Sequence, residues 1–141
     1  MKSSILMVLC TLALMASCKS KKQFVTNENN NSTQLVGTWK GEEKDEQIKG
    51  VTKSWEMTRK KDGTFKVEYT INEDGHVTKH SETGVWKTEG NLFYDTNDYS
   101  GGTDVYSYQL IDNDTVRFKA HNMSMPLENA NYEFYDIRIT K

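Results

Sequence analysis

The segment His121-Asn122-Met123-Ser124-Met125 sets an imidazole and two thioethers at alternate positions, a donor set that suits copper. In an extended chain His121, Met123 and Met125 project to one side. Pro126 and the polar residues around it read equally as a loop, where Met fills irregular gaps. His76 and His80 are four apart, a metal-ligand spacing on a helix, but the hairpin signal Glu73-Asp74-Gly75 precedes them and a solvated pair is the simpler reading. Arg59 falls on the same strand face as Trp55 and Met57. Turned inward, its guanidinium would clamp a carboxylate, since a buried Arg without a counter-ion costs several kcal/mol. Its place near a strand end, with Lys60-Lys61 following, favours a solvated side chain. The run Glu42, Glu43, Asp45, Glu46 lacks EF-hand spacing and reads as a solvated face. A Gly-X-Ser-X-Gly elbow, a His-Glu-X-X-His helix and a phosphate-cradling Gly loop are all missing, so the chain is expected to be no enzyme and to need no cofactor.

Composition narrows the field further. The chain has 141 residues with a formal net charge of −2, enough for one ordinary domain. A near-neutral balance without a basic stripe argues against nucleic acid as a partner. Both Cys, Cys10 and Cys18, lie near the N-terminus, which removes an internal disulfide, a thiolate zinc site and a Cys nucleophile from the body of the chain.

That N-terminus has a logic of its own. Lys2 precedes an apolar block from Ile5 to Met15. As a helix the block would rise about 16 Å, short of the roughly 30 Å bilayer core, so it reads as a signal peptide over residues 1–17. Leu14-Met15-Ala16-Ser17-Cys18 resembles the lipobox of bacterial lipoproteins, in which the Cys is acylated and becomes the mature N-terminus. The resemblance implies a chain held to membrane lipid through Cys18, in the cell envelope, at the outer membrane or a periplasmic face. Residues 18–34 are polar and aperiodic, with Asn27, Asn29, Asn30 and Asn31, and read as a flexible tether. Lys19, Lys21 and Lys22 beside the anchor would meet lipid head groups.

Residues 35–141 form the domain. Thr, Val, Tyr, Phe and Trp are plentiful there while Ala and Leu are scarce, a strand-forming composition. Phe65, Val67, Tyr69 and Ile71 alternate with Thr64, Lys66, Glu68 and Thr70, the period of a half-buried strand. Turn signals such as Lys61-Asp62-Gly63, Glu89-Gly90-Asn91 and Ser100-Gly101-Gly102 separate the runs. Strands are expected near 36–41, 53–60, 64–72, 76–80, 83–88, 91–96, 103–111, 114–119 and 131–139, with 76–80 and 83–88 possible halves of one bent strand. Glu42 to Lys49 is the one stretch expected to form a short helix, as a cap over a barrel mouth. About eight antiparallel strands in a meander close naturally into an all-β up-and-down barrel, with an open sandwich as the competing architecture.

Gly37-Thr38-Trp39 opens the first strand and resembles the Gly-X-Trp motif of lipocalins and related small, calycin-type barrels. Gly84-Val85-Trp86 repeats the pattern, and Trp86 there reads as a core residue. In the lipocalin superfamily an Arg of the last strand packs across the first-strand Trp and closes one end of the barrel. Arg138 stands at the matching place, so Gly37, Trp39 and Arg138 are expected to be structural. The chain resembles the short lipocalin-like domains of bacterial lipoproteins, though it is much shorter than a full lipocalin. The interior is expected to hold Trp55, Met57, Phe65, Val67, Tyr69, Tyr106 and Tyr108, either as packed core or as the wall of a site for a small, mostly apolar ligand. Arg59 would be the clamp of such a site, as internal Arg residues are in fatty-acid-binding barrels, which the chain resembles in outline. A ligand would need a void of a few hundred Å³ opening near Glu42 to Lys49. The alternative is a protein-binding module with a filled barrel, in the manner of an envelope inhibitor or immunity-type lipoprotein, with Tyr94, Tyr99 and Tyr135 as contacts.

Overall fold

The computed structural model describes residues 32–140. A 3₁₀ turn, Thr33–Leu35, leads into eight strands: β1 Gly37–Lys44, β2 Val51–Arg59, β3 Thr64–Glu73, β4 His76–Glu89, β5 Leu92–Asn97, β6 Thr103–Leu110, β7 Thr115–Asn122 and β8 Glu133–Arg138. Each pairs antiparallel with the next, and β8 returns to β1 through Trp39↔Arg138 and Lys40↔Ile137. The sheet is a closed up-and-down barrel, as the strand spacing predicts, and closure disposes of the sheet edges that an open meander would expose.

One local expectation is corrected, and the single bent strand over 76–88 is borne out. Glu42 to Lys49 forms no helix: β1 runs on to Lys44, paired Glu42↔Ser54 and Lys44↔Thr52. The chain then reverses through a turn in which Gly50 N–H donates to Asp45 Oδ1 at 2.6 Å. Glu and Lys suit a helix locally, but ladder pairing with β2 overrides that preference. The runs 76–80 and 83–88 are one strand of 14 residues.

Gly84 lies where this long strand crosses closest to its neighbours. A Cβ there would run into the carbonyl oxygen of Thr96 and stand 2.6 Å from the Phe65 ring. Gly84→Ala is expected to lower stability by about 1–3 kcal/mol, the usual cost of overpacking, seen as a lower urea midpoint at unchanged slope. An unchanged midpoint would show that the sheet yields there at no cost.

The core runs through the barrel: Leu35, Trp39, Trp55, Met57, Phe65, Val67, Trp86, Phe93, Tyr106, Val116 and Phe118 are buried. Full burial of each large apolar side chain contributes about 1.5–3 kcal/mol. The rings are in contact, with Phe118 5.1 Å from both Phe93 and Phe134 and Trp55 meeting Phe134 edge-on at 5.2 Å. Trp86 donates from Nε1 to the carbonyls of Lys60 and Thr64, both at 3.1 Å, and so ties β4 to the β2–β3 turn.

Candidate functional site

The two ends of the barrel differ. At one end, where the turns 60–63, 90–91 and 111–114 gather, Trp39 is fully buried and donates from Nε1 to Leu35 O at 2.9 Å. The Arg138 guanidinium carbon stands 4.1 Å from the centre of the Trp39 ring. Its Nη1 and Nη2 donate to the carbonyls of Val36 and Gln34 at 2.8 and 2.6 Å. Cation–π attraction and two charge-assisted hydrogen bonds thus staple the 3₁₀ turn across this end. Gly37 has φ +131°, and a Cβ there would stand 2.6 Å from Arg138 Nη1, which is why the first position of the motif is Gly.

Above this floor sits a buried ion pair. Arg59 is 2% exposed and Asp136 is 0% exposed, with Arg59 Nη2 donating to Asp136 Oδ2 at 2.6 Å. Trp55 Nε1 donates to the other oxygen, Oδ1, at 2.7 Å. The guanidinium lies 5.0 Å from the Phe118 ring, 5.1 Å from Phe93 and 5.9 Å from Trp39. The solvated Arg59 favoured by its place in the sequence is therefore corrected. As the last residue of β2 it keeps the inward parity of Trp55 and Met57, and barrel curvature carries it under the floor aromatics. Its carboxylate comes from Asp136 of the chain itself, a residue that sequence reasoning missed. The parity of Phe134, Asp136 and Arg138 on β8 was the available signal. Arg59 Nε and Nη1 are buried with no hydrogen-bond partner among the described residues.

Toward the other end the lining becomes polar. Asp95 follows buried Phe93 on the same face of β5 and pairs with Asp104 of β6 across the ladder. Burial, and then the nearby charge of Asp104, push its carboxyl up to about 7, against the opposing pull of Arg59. Asp104 Oδ1 accepts from Ser124 N and Oγ, both at 2.7 Å, whereas no hydrogen bond within the described residues reaches the Asp95 carboxyl. Asn97 Nδ2 donates to Glu82 Oε2 at 2.9 Å. Burial also raises the phenols of Tyr69 and Tyr106, so they stay neutral donors. Loops meet over this mouth: Tyr132 donates to Glu43, and Asn129 Nδ2 donates to Glu46 Oε2 at 3.3 Å.

The Asp95 shift carries a sign that can be measured. Its neutral form is favoured in the fold, so the stability it confers is complete below about pH 4 and is lost as the pH rises to about 7. Asp95→Asn, isosteric and always neutral, is expected to flatten the fall in melting temperature between about pH 5 and about pH 8, and to melt above the parent at the upper limit. Parallel profiles for the two proteins would exclude Asp95 as the source.

Of the residues singled out by sequence, Trp55, Met57, Phe65, Val67 and Tyr106 lie buried in the barrel, with Tyr69 and Tyr108 partly buried against them. The copper candidates do not converge. His121 is exposed near the end of β7, Met123 packs on the core, and Met125 is 72% exposed beyond the strand. Extension to one side fails because β7 ends at Asn122. No group of three or more His, Cys, Asp or Glu is placed to hold a metal among the described residues. Two clefts of about 410 and 520 Å³ lie on the outside, one at the closed end beside Gln34, Asp112 and Arg138, the other along the outer face beside Lys40, Glu42 and Glu56. Neither is the internal void expected near Glu42 to Lys49. Cys18 lies outside the described residues, as does the whole of 1–31.

A closed eight-stranded meander, stapled at one end by an Arg over a Trp and polar at the other, is a small barrel of the lipocalin type. The sequence matches the family described as a lipocalin-like domain over residues 35–118, and the chain belongs to that family. No curated protein matches it.

Proposed function

We propose that this chain is a lipid-anchored envelope protein whose barrel binds a small, mostly apolar molecule through one polar end. The observation that carries the ligand is the pair of unsatisfied donors, Arg59 Nε and Nη1, inside an otherwise aromatic wall. A buried donor left unpaired costs about 1–3 kcal/mol, so a bound acceptor would recover that energy on entering. Family membership supports the same reading, since a barrel with one stapled end has a single natural entrance. Entry would require the Tyr132–Glu43 and Asn129–Glu46 contacts to part. Anchoring rests on the lipobox at Leu14 to Cys18.

Native mass spectrometry of the full chain purified from membranes tests both halves. A mass increment from acyl chains, absent in Cys18→Ser, and a retained molecule of small mass are expected. A retained protein in place of a small molecule would overturn the ligand and favour a protein-binding module, for which exposed Tyr99 and Tyr135 are the supporting observation.

A further inference from the structure

We propose that the free edge of β4 pairs with the same edge of a second copy of this chain, joining two barrels through an antiparallel ladder about a twofold axis. Ring closure covers sheet edges only as far as neighbouring strands run together. β4 pairs with β3 from His76 to Val85, but β5 covers it only from Gly84 to Glu89. Residues 76–82 therefore extend beyond the barrel wall with β3 on one side and, among the described residues, no strand on the other. The far flank of this extension is treated differently. Past Lys40, where β1 loses β8, Tyr132 of the β7–β8 loop reaches over to Glu43. Along β4 the neighbouring strand touches only the place where the extension leaves the wall. There Asp98 N–H donates to Thr83 O, and Asn97 Nδ2 to Glu82 Oε2, both at 2.9 Å.

The hairpin fixes which main-chain groups this edge presents. Its turn is Asp74-Gly75, both with positive φ, so the flanking pair Glu73↔His76 is hydrogen-bonded. Even-numbered residues of β4 thus turn their N–H and C=O toward β3, a phase kept by Trp86 N–H, which donates to Gly63 O at 2.7 Å. Val77, Lys79 and Ser81 point theirs out of the sheet, where another extended backbone is the natural match. A twofold pairing centred on Lys79 uses these residues and no others. Val77 lies opposite Ser81 of the second copy and Lys79 opposite itself, each pair exchanging both main-chain hydrogen bonds. Centring on His80 would set Val77 against Thr83, whose carbonyl is already taken, and centring on Thr78 would set Ser81 against Gly75 in the turn. Even-numbered side chains share the inner face, where His80 stacks on Tyr69. There the chosen register places His76 opposite Glu82 of the second copy, an imidazole against a carboxylate, once in each half of the ladder. Lys79 facing its own copy is the one like-charge pair, and it keeps the contact weak. Because the contact is isologous, it closes at two chains and leaves no edge to propagate.

Native mass spectrometry of the full chain in a non-ionic detergent, at about 0.1 mM, reads the assembly, and a dimer is expected. Ser81→Pro removes an outward N–H and leaves the ladder to β3 intact, so it should weaken the dimer about tenfold or more at an unchanged melting temperature. Lys79→Glu, mixed with an isotopically labelled parent chain, turns the like pair at the axis into an opposite pair. Mixed dimers should then exceed the random proportion about threefold to tenfold, and about 0.5 M salt should erase the excess. A chain that is monomeric at this concentration overturns the proposal, as does random mixing of Lys79→Glu with the parent. Dimers indifferent to Ser81→Pro place the contact elsewhere and overturn this edge. If Ser81→Pro does not fold, the mixing result decides alone, since Lys79 is exposed and its side chain can be exchanged without touching the core. A different protein held in place of the copy, and lost in Ser81→Pro, overturns the second copy as the occupant.

Discussion

Asp136→Asn is expected to destabilise the barrel by about 3–5 kcal/mol, the cost of leaving a buried cation without its counter-ion. Arg59 is 2% exposed and surrounded by the rings of Trp39, Phe93 and Phe118, so water cannot take the place of the carboxylate. Attraction to ring faces offsets only about 2 kcal/mol of such a loss at best. The substitution is nearly isosteric and keeps an acceptor for Trp55 Nε1, which isolates the charge from the packing. The double variant Arg59→Met/Asp136→Asn should recover most of the loss, because Met fills the volume of the Arg stem and no charge is left to solvate. Urea unfolding followed by tryptophan fluorescence reads all three proteins. A double variant no more stable than Asp136→Asn alone would mean that the loss came from geometry and not from the orphaned cation. Small domains have only about 5–15 kcal/mol in total, so the single variant is expected to lie near the edge of folding at growth temperature.

Trp39→Ala should cost a similar amount, about 3–5 kcal/mol, through the cavity it opens at the stapled end. Trp39 is among the largest side chains with no exposure, and three things depend on it at once. Its N–H satisfies Leu35 O, its face carries the Arg138 guanidinium, and its bulk separates Arg59 from the closed end. Trp39→Phe keeps a ring under Arg138 but loses the hydrogen bond, and should cost about 1–2 kcal/mol. Hydrogen exchange gives a local readout. The amides of Leu35 and Val36, bonded to Ser32 O and Thr33 O, are expected to lose protection in Trp39→Ala beyond the global loss. A uniform loss of protection throughout the barrel would show that the staple is not a separate unit.

The two variants probe features that were unequally visible in the sequence. Trp39 and Arg138 were readable through the resemblance to lipocalins, in which a Gly-X-Trp heads the first strand and an Arg of the last strand packs across it. The interior places of Trp55, Met57, Phe65 and Val67 were readable from the residues themselves, since strand parity is a property of a few consecutive residues. Trp86 was read as core, but the part played by Gly84 was not. Why a Gly stands there depends on Thr96 and Phe65, which neighbouring strands bring across it.

Arg59 shows where such reasoning stops. Its parity was inward and its flank, Lys60-Lys61, was solvated, and sequence offers no rule for weighing one against the other. The choice was made by Asp136, which lies 77 residues away and reaches Arg59 only because β8 closes onto β1. The same holds for Glu42 to Lys49, where helix-forming residues were drawn into β1 by pairing with β2, and for Asp95 and Asp104, whose closeness is a matter of register between β5 and β6. By itself the sequence determined the strands, their inward faces and the turns between them, because alternation and turn chemistry act over a few bonds, while the pair that staples one end was implied by the resemblance to lipocalins. Only the tertiary structure decided which charges are buried, which are paired and which polar groups remain unused inside. Those outcomes depend on distances between strands, and ring closure sets them for all eight at once.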